Sequence, residues 1–223
     1  KMNIKVNFIR KLSKARTINE IIFVKGKKIK NNLLNPILKS VLDNELFLDQ
    51  LFIQREFKNK NFIFVNCNKL KISSDYENIG SKLFDYLNKY KIDSSYIDMS
   101  KIDISNINLE KIIHGTKLKS YNFNIYKSSN KKNKIINLNI VGKESFKSNI
   151  LRKKLEALMG GVFYTRDLVS EPGNILHPDE YAKRLIKLKK IGLKVKVYNE
   201  KKLKKLGCNA LLGVGQGSIR GSY

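Results

Sequence analysis

Few residues of this 223-residue chain have the type and spacing that chemistry needs. The run Gly213-x-Gly215-x-Gly217 could cradle a phosphate on its backbone N–H groups, but the lysine or helix start that such loops use does not follow it. His114 and His177 stand alone, and a solitary histidine is more often a surface or packing residue than a ligand, with His177 expected at a helix cap. Asp98 and Asp103 are near each other without further ligands, so they read as solvated loop acids rather than a metal site. The hydroxyls of Ser170 and Ser218 have no base at a suggestive distance in sequence, which leaves nucleophilic catalysis without support. Cys67 and Cys208 lack partner clusters, so neither a disulfide framework nor a zinc knuckle is indicated. No residue is assigned a catalytic, cofactor-binding or metal-ligating role.

The elements that would position such residues can be read from periodicity. Asn3–Phe8 alternates and predicts a strand, as does Ile18–Val24. Asn35 and Pro36 open a short predicted helix to Leu48. Leu51–Phe57 and Phe62–Cys67 flank Lys58–Asn61 as a hairpin. A helix opens at Ser73 and turns Ile79, Leu83 and Leu87 inward. Tyr96–Met99, Ile107–Leu118 and Ile135–Val141 then read as strand, helix and strand, the pattern of a sheet covered by helices. The longest helix runs from Ser145 to Val169. Leu151, Leu155, Leu158, Val162 and Val169 are its expected buried face, and close packing or a bend is expected at Gly160 and Gly161.

Beyond it, Pro178 with Asp179 and Glu180 starts a helix whose Tyr181, Leu185 and Leu188 share a face. Gly192 stops it. Leu193, Val195 and Val197 alternate with lysines as a half-buried strand, Asn199 caps a short helix ending at Gly207, and Ala210–Val214 reads as a further strand.

The net charge of +26 raises a polyanion partner. Lysines, asparagines and isoleucines are spread along the chain, so drift in composition is favoured over a selected patch and nucleic-acid binding is not the preferred reading. No apolar run approaches the roughly 20 residues of a membrane span, and the amino terminus has no signal-peptide core. A cytoplasmic protein with no membrane contact is expected.

Two stretches carry a resemblance. Arg166-Asp-Leu-Val-Ser-Glu-Pro-Gly-Asn174, followed by the Pro-acidic helix start and Lys205-Leu-Gly-Cys-Asn-Ala-Leu-Leu-Gly-Val-Gly-Gln-Gly-Ser218, resembles the leucyl (cytosol) aminopeptidase family where its amino-terminal domain joins its catalytic domain. Gly115–Tyr126 is a weaker match. His177, Ser170 and Gly173 depart from the family's usual threonine, asparagine and alanine or proline, which affects cap and turn geometry only.

The resemblance implies an α/β fold. It consists of a macro-like α/β domain over 1–143, a linker helix over 144–172, and the beginning of an aminopeptidase catalytic domain over 173–223. It implies a two-metal exopeptidase, with manganese or zinc, that releases amino-terminal residues from peptides and assembles as a homo-hexamer. Arg166, Asp167 and Glu171 fall outside the family's catalytic motif and are expected to be structural. The Gly-Lys-Gly…Asp-Ser-Gly-Gly metal motif is expected beyond Tyr223, so the chain reads as the amino-terminal portion of such an enzyme, inactive alone. The alternative is a non-catalytic nucleic-acid-binding or assembly module.

Overall fold

The computed structural model describes residues 2–12, 19–26, 49–102, 104–128, 134–142 and 150–218. It is a mixed α/β structure, and the chain divides into two compact units, Lys1–Gly161 and Val162–Tyr223.

The first unit is built on a six-stranded sheet. Its strands are β1 (Ile4–Ile9), β2 (Asn19–Val24), β3 (Phe52–Phe57), β4 (Lys60–Asn66), β5 (Ser94–Asp98) and β6 (Ile136–Val141), in the order β1-β6-β5-β2-β4-β3. All neighbours run parallel except β3, which closes one edge antiparallel to β4. The predicted hairpin is there, and its turn is tight. Phe57 faces Lys60, and Lys58 and Asn59 between them both have positive φ, at 48° and 59°. Two central residues in the left-handed region are what a type I′ turn requires, because its twist matches that of the flanking strands.

Helices α1 (Ser73–Lys89) and α2 (Asn106–Lys119) follow β4 and β5. The α1 start is fixed by Asp75, whose carboxylate accepts from the backbone N–H groups of Lys71 and Ile72 at 2.8 and 2.9 Å. Those bonds hold the Asp75 carboxyl below its usual range. Ser105 caps α2 through the N–H of Asn108. Ile79, Leu83 and Leu87 are buried as the period-3.6 pattern requires, against Ile21, Phe23, Ile63 and Val65 of the sheet and Leu109 and Ile112 of α2. Ile22, Val24 and Phe64 alternate onto the opposite face and are buried too, so the central strands are covered on both sides, as parallel sheets demand.

The two helices meet at glycines. A Cβ on Gly80 would stand 2.0 Å from the carbonyl oxygen of Ile112, and one on Gly115 would stand 2.0 Å from that of Glu77. Backbone touches backbone at this crossing, and no other residue type fits either position.

Helix α3 (Ile150–Ser170) spans the division between the units. Its predicted buried face is corrected by the structure. Leu158 is 57% exposed and Val169 81%, whereas Leu168 is the one residue of α3 classed as buried. The half-buried positions of the amino-terminal part are Leu151, Arg152, Leu155 and Met159. Leu151, Leu155 and Val162 keep their predicted places on the half-buried side, while Met159 and Leu168 take those predicted for Leu158 and Val169. Gly160 and Gly161 neither pack closely nor interrupt the helix, and a Cβ at either would meet nothing within 4 Å.

The second unit continues with α4 (Pro178–Ile186), a 3-10 turn (Lys187–Ile191), α5 (Glu200–Lys205) and α6 (Asn209–Gly215). Gly192 ends the 3-10 turn at φ 91°, and the Asn199 side chain caps α5 through the N–H of Lys202. Two predicted strands are absent. Leu193–Val197 lies outside any ladder, and Ala210–Val214 is part of α6. A strand leaves its N–H and C=O groups to a neighbour, and among the described residues of this unit no neighbouring strand exists. A helix satisfies its own. The predicted Pro36–Leu48 helix and the first residues of the predicted Ser145–Val169 helix lie outside the described residues.

Candidate functional site

The first unit buries three polar constellations that the sequence did not reveal. Glu20 on β2 is 1% exposed. It accepts from the Tyr96 hydroxyl at 2.6 Å and from Lys101 Nζ at 2.7 Å. Burial, and then the bond to Glu20, push the Tyr96 phenol above its usual range. Partners 76 and 81 residues away cannot be paired from one sequence, although register places Glu20 directly opposite Tyr96.

Around α2, Arg152 clamps the buried Glu110 with Nε and Nη2 at 2.9 and 2.5 Å, and its guanidinium lies 3.6 Å from the centre of the Phe8 ring. Lys117 meets Glu156 at 3.3 Å. His114, 4% exposed, sets Nδ1 3.2 Å from Glu77, so it is a packing residue of the α1–α2 interface. Cys67, just after β4, is fully buried, and desolvation pushes its thiol up to about 12. Both cysteines are free thiols. Asp98 accepts from the backbone N–H and the hydroxyl of Ser100 and lies 3.9 Å from Lys101, while Asp103 lies outside the described residues.

In the second unit the residues of the Arg166–Asn174 stretch are organised by Arg184. Its Nη1 reaches Glu171 at 2.9 Å, its Nε reaches Glu180 at 3.2 Å, and its carbonyl accepts from the Tyr164 hydroxyl at 3.1 Å. One arginine thus ties α3, the Pro172 turn and α4 together. His177 is the N-cap residue of α4 without a side-chain bond to the helix, and Pro178 occupies the first turn as expected.

Beside it runs a groove of about 520 Å³, walled by Leu176, Tyr181, Leu185, Val195, Val197 and Leu203. Gly213 and Gly215 sit on α6 rather than in a loop, and Ser170 ends α3. Among the described residues no three His, Cys, Asp or Glu side chains come together as metal ligands. No described helix is long and apolar enough to cross a membrane.

Comparisons with known proteins place these elements. The catalytic-domain model of the cytosol aminopeptidase family matches residues 163–222. A probable cytosol aminopeptidase of Caulobacter vibrioides is 40% identical over 111 residues, which is 48% of this chain and 22% of that protein. One from Phytoplasma mali is 43% identical over 114 residues, 49% of this chain and 23% of that protein. The chain is similar to the cytosol aminopeptidase family over about half its length.

A probable cytosol aminopeptidase of Brucella melitensis is 58% identical over 65 residues, 29% of this chain and 13% of that protein. Likeness in fold to solved structures extends over nearly the whole chain. A mutant of tomato leucine aminopeptidase superposes on 96% of it with a TM-score of 0.65 at 16% identity. The bottromycin maturation enzyme BotP, in complex with Mn, covers 92% with a TM-score of 0.63 at 15% identity. The chain spans about half the length of these two structures, 48% and 44%.

Proposed function

We propose that this chain forms the amino-terminal α/β domain and the first catalytic-domain elements of a cytosol aminopeptidase, an exopeptidase that releases amino-terminal residues from peptides. The observation that carries this reading is the match of residues 163–222 to the family's catalytic domain, joined to relatives about 40% identical that bear the aminopeptidase name.

Metal dependence belongs to the same reading and draws on the Mn-bound neighbour. The ions would be manganese or zinc, in the complete enzyme. The described residues do not fit such ions, since no ligand cluster forms among them, and no step of the reaction is assigned to this chain. Its part is architectural. The Arg184 latch positions the Pro172 turn and α4, and the sheet unit beneath α1 and α2 gives a rigid body suited to assembly, for which a hexamer is the proposed form. A cytoplasmic site of action goes with the names of the relatives.

The purified 223-residue chain is expected to leave a leucyl chromogenic substrate uncut in the presence of manganese. Turnover above a metal-free control would show that the chain holds a site of its own and would overturn the architectural assignment.

A further inference from the structure

One edge of the six-stranded sheet is β3, with β4 on one side and, among the described residues, no strand on the other. The register says which of its backbone groups are open. Phe57 and Lys60 flank the two-residue turn, and the Asn66 N–H donates to the Leu51 carbonyl at 2.9 Å. Bonded and non-bonded pairs alternate in an antiparallel ladder, so Ile53, Arg55 and Phe57 exchange bonds with β4. The N–H and C=O groups of Phe52, Gln54 and Glu56 therefore point away from the sheet. The Arg55 side chain agrees, since its Nη1 donates to the outward Gln54 carbonyl at 2.9 Å.

Side chains along this edge form two strips. On the helix face the rings of Phe52, Tyr86 and Tyr90 follow one another at 4.8 and 4.6 Å. The row ends at Tyr90, 52% exposed, with the Lys89 ammonium 5.4 Å from its ring centre. On the other face Arg55 and Phe57 are exposed, and Lys58 lies over the Phe57 ring at 5.3 Å. Within Phe52–Lys60, Glu56 is the one acid against Arg55, Lys58 and Lys60.

We infer that the β3 edge takes up an extended acidic peptide of a partner protein as an added strand. Its apolar side chains rest on the Phe52–Tyr86–Tyr90 row, and its carboxylates meet Arg55 and Lys58. Charge chooses this occupant: the basic edge attracts acids, and the chain's net +26 opposes a second copy. Open backbone groups on alternate residues suit a peptide, which returns a ladder of N–H and C=O groups, better than a nucleic acid, which has none. The inference concerns the first unit and is independent of the aminopeptidase reading.

The test uses the 223-residue chain and, as probe, a blocked peptide of alternating glutamate and valine as long as β3. At about 1 mM peptide, amide exchange at Gln54 and Glu56 is expected to slow at least roughly tenfold. Ile53 and Arg55, already bonded to β4, keep their rates. Added salt weakens the effect, because the charges are exposed. Glu56→Pro removes an outward donor on an edge strand, where proline is tolerated, and should lose the peptide although it also removes an acid. Arg55→Glu reverses the charge and leaves every backbone donor in place, and it too should lose the peptide. In both variants α1 and α2 should exchange as in the parent.

Unchanged rates at Gln54 and Glu56 overturn the inference. So does equal protection by a lysine–valine peptide, since charge would then select nothing. Protection in the chain alone that rises with its own concentration makes a second copy the occupant and overturns it as well. Protection by single-stranded oligothymidylate but not by the acidic peptide does the same in favour of nucleic acid.

Discussion

The two units of this chain are made from the same lysine-rich composition and reach opposite ends of internal order. The hydrophobic core cluster lies wholly within residues 4–140, where strands and helices bury Phe23, Ile63, Leu83, Ile97 and Leu138 to 1% exposure or less. In residues 162–218 the buried hydrophobics are Leu168, Ala182 and Leu203, while Ile191, Leu211 and Val214 are more than half exposed. Hydrophobic content does not make this difference; arrangement does. A sheet lets residues far apart in sequence bury one another on two faces, whereas short helices joined by turns bury little without a third element. Among the described residues, the first unit buries its hydrophobics and the second leaves most of its own exposed or half-buried.

The largest expected effect tests how dry the first unit is. Cys67 has a folded-state pKa of about 12 against an ordinary value of 9.0. A raised folded pKa means the native state keeps a proton that the unfolded chain has already lost. The stability is therefore complete below about pH 9 and falls as pH rises towards 12. The slope is about 1.4 kcal/mol per pH unit, or roughly 4 kcal/mol across the window. Tyr96, raised in the same direction, adds to the loss above pH 10. Urea unfolding followed at Tyr and far-UV signals should show this alkaline decline, and Cys67→Ala should flatten it. A decline of equal slope in the variant would mean that Cys67 is wetter than its burial implies.

The crossing of α1 and α2 comes next. Gly80→Ala or Gly115→Ala drives a Cβ into a backbone carbonyl that cannot swing aside, at an expected cost of about 3 kcal/mol. Amide exchange should show the damage in the sheet unit while residues 178–205 keep their own rates. Damage shared equally by both would erase the contrast between them.

In the second unit the comparable single residue is Arg184. Arg184→Met leaves the Glu171 carboxylate, 7% exposed, without its cation, and the guanidinium it replaces is itself 24% exposed. Solvent screening therefore scales the loss down to about 1.5 kcal/mol. Limited proteolysis near Pro172 should accelerate in this variant. No acceleration would mean that the Pro172 turn is held by contacts other than the latch.

What could be read beforehand follows the same divide. The six strands, α1 and α2 come through as local patterns, and the hairpin turn falls at Lys58 and Asn59, within the predicted Lys58–Asn61. The Glu20–Tyr96–Lys101 and Arg152–Glu110 bonds were illegible, because they join elements 42 to 81 residues apart and only the folded sheet sets their register. For His114 the sequence left surface and packing positions open, and nothing in its neighbours named Glu77. The strand pattern at 193–197 is present in sequence and has no strand to pair with among the described residues. At 210–214 the same apolar residues served a helix instead, since Ala210, Leu211 and Leu212 are helix formers and the alternation was too short to decide.

The smallest effect uses one substitution to compare the two settings directly. Gly160 and Gly161 lie in the interior of α3, next to the division between the units, and a Cβ on either would meet nothing within 4 Å. Alanine there gains helix propensity and meets no obstacle, so each of Gly160→Ala and Gly161→Ala should stabilise α3 by about 1 kcal/mol. The same exchange at Gly80 and Gly115 gains the same propensity and loses about three times as much to collision. The sign is set by the room around the new methyl group, not by the glycine's place in a helix. Thermal melts of the four single variants should split into two pairs on either side of the parent. Destabilisation by Gly160→Ala or Gly161→Ala would show that another surface closes over α3 at those glycines, and α3 would then belong with the tightly packed unit rather than between the two.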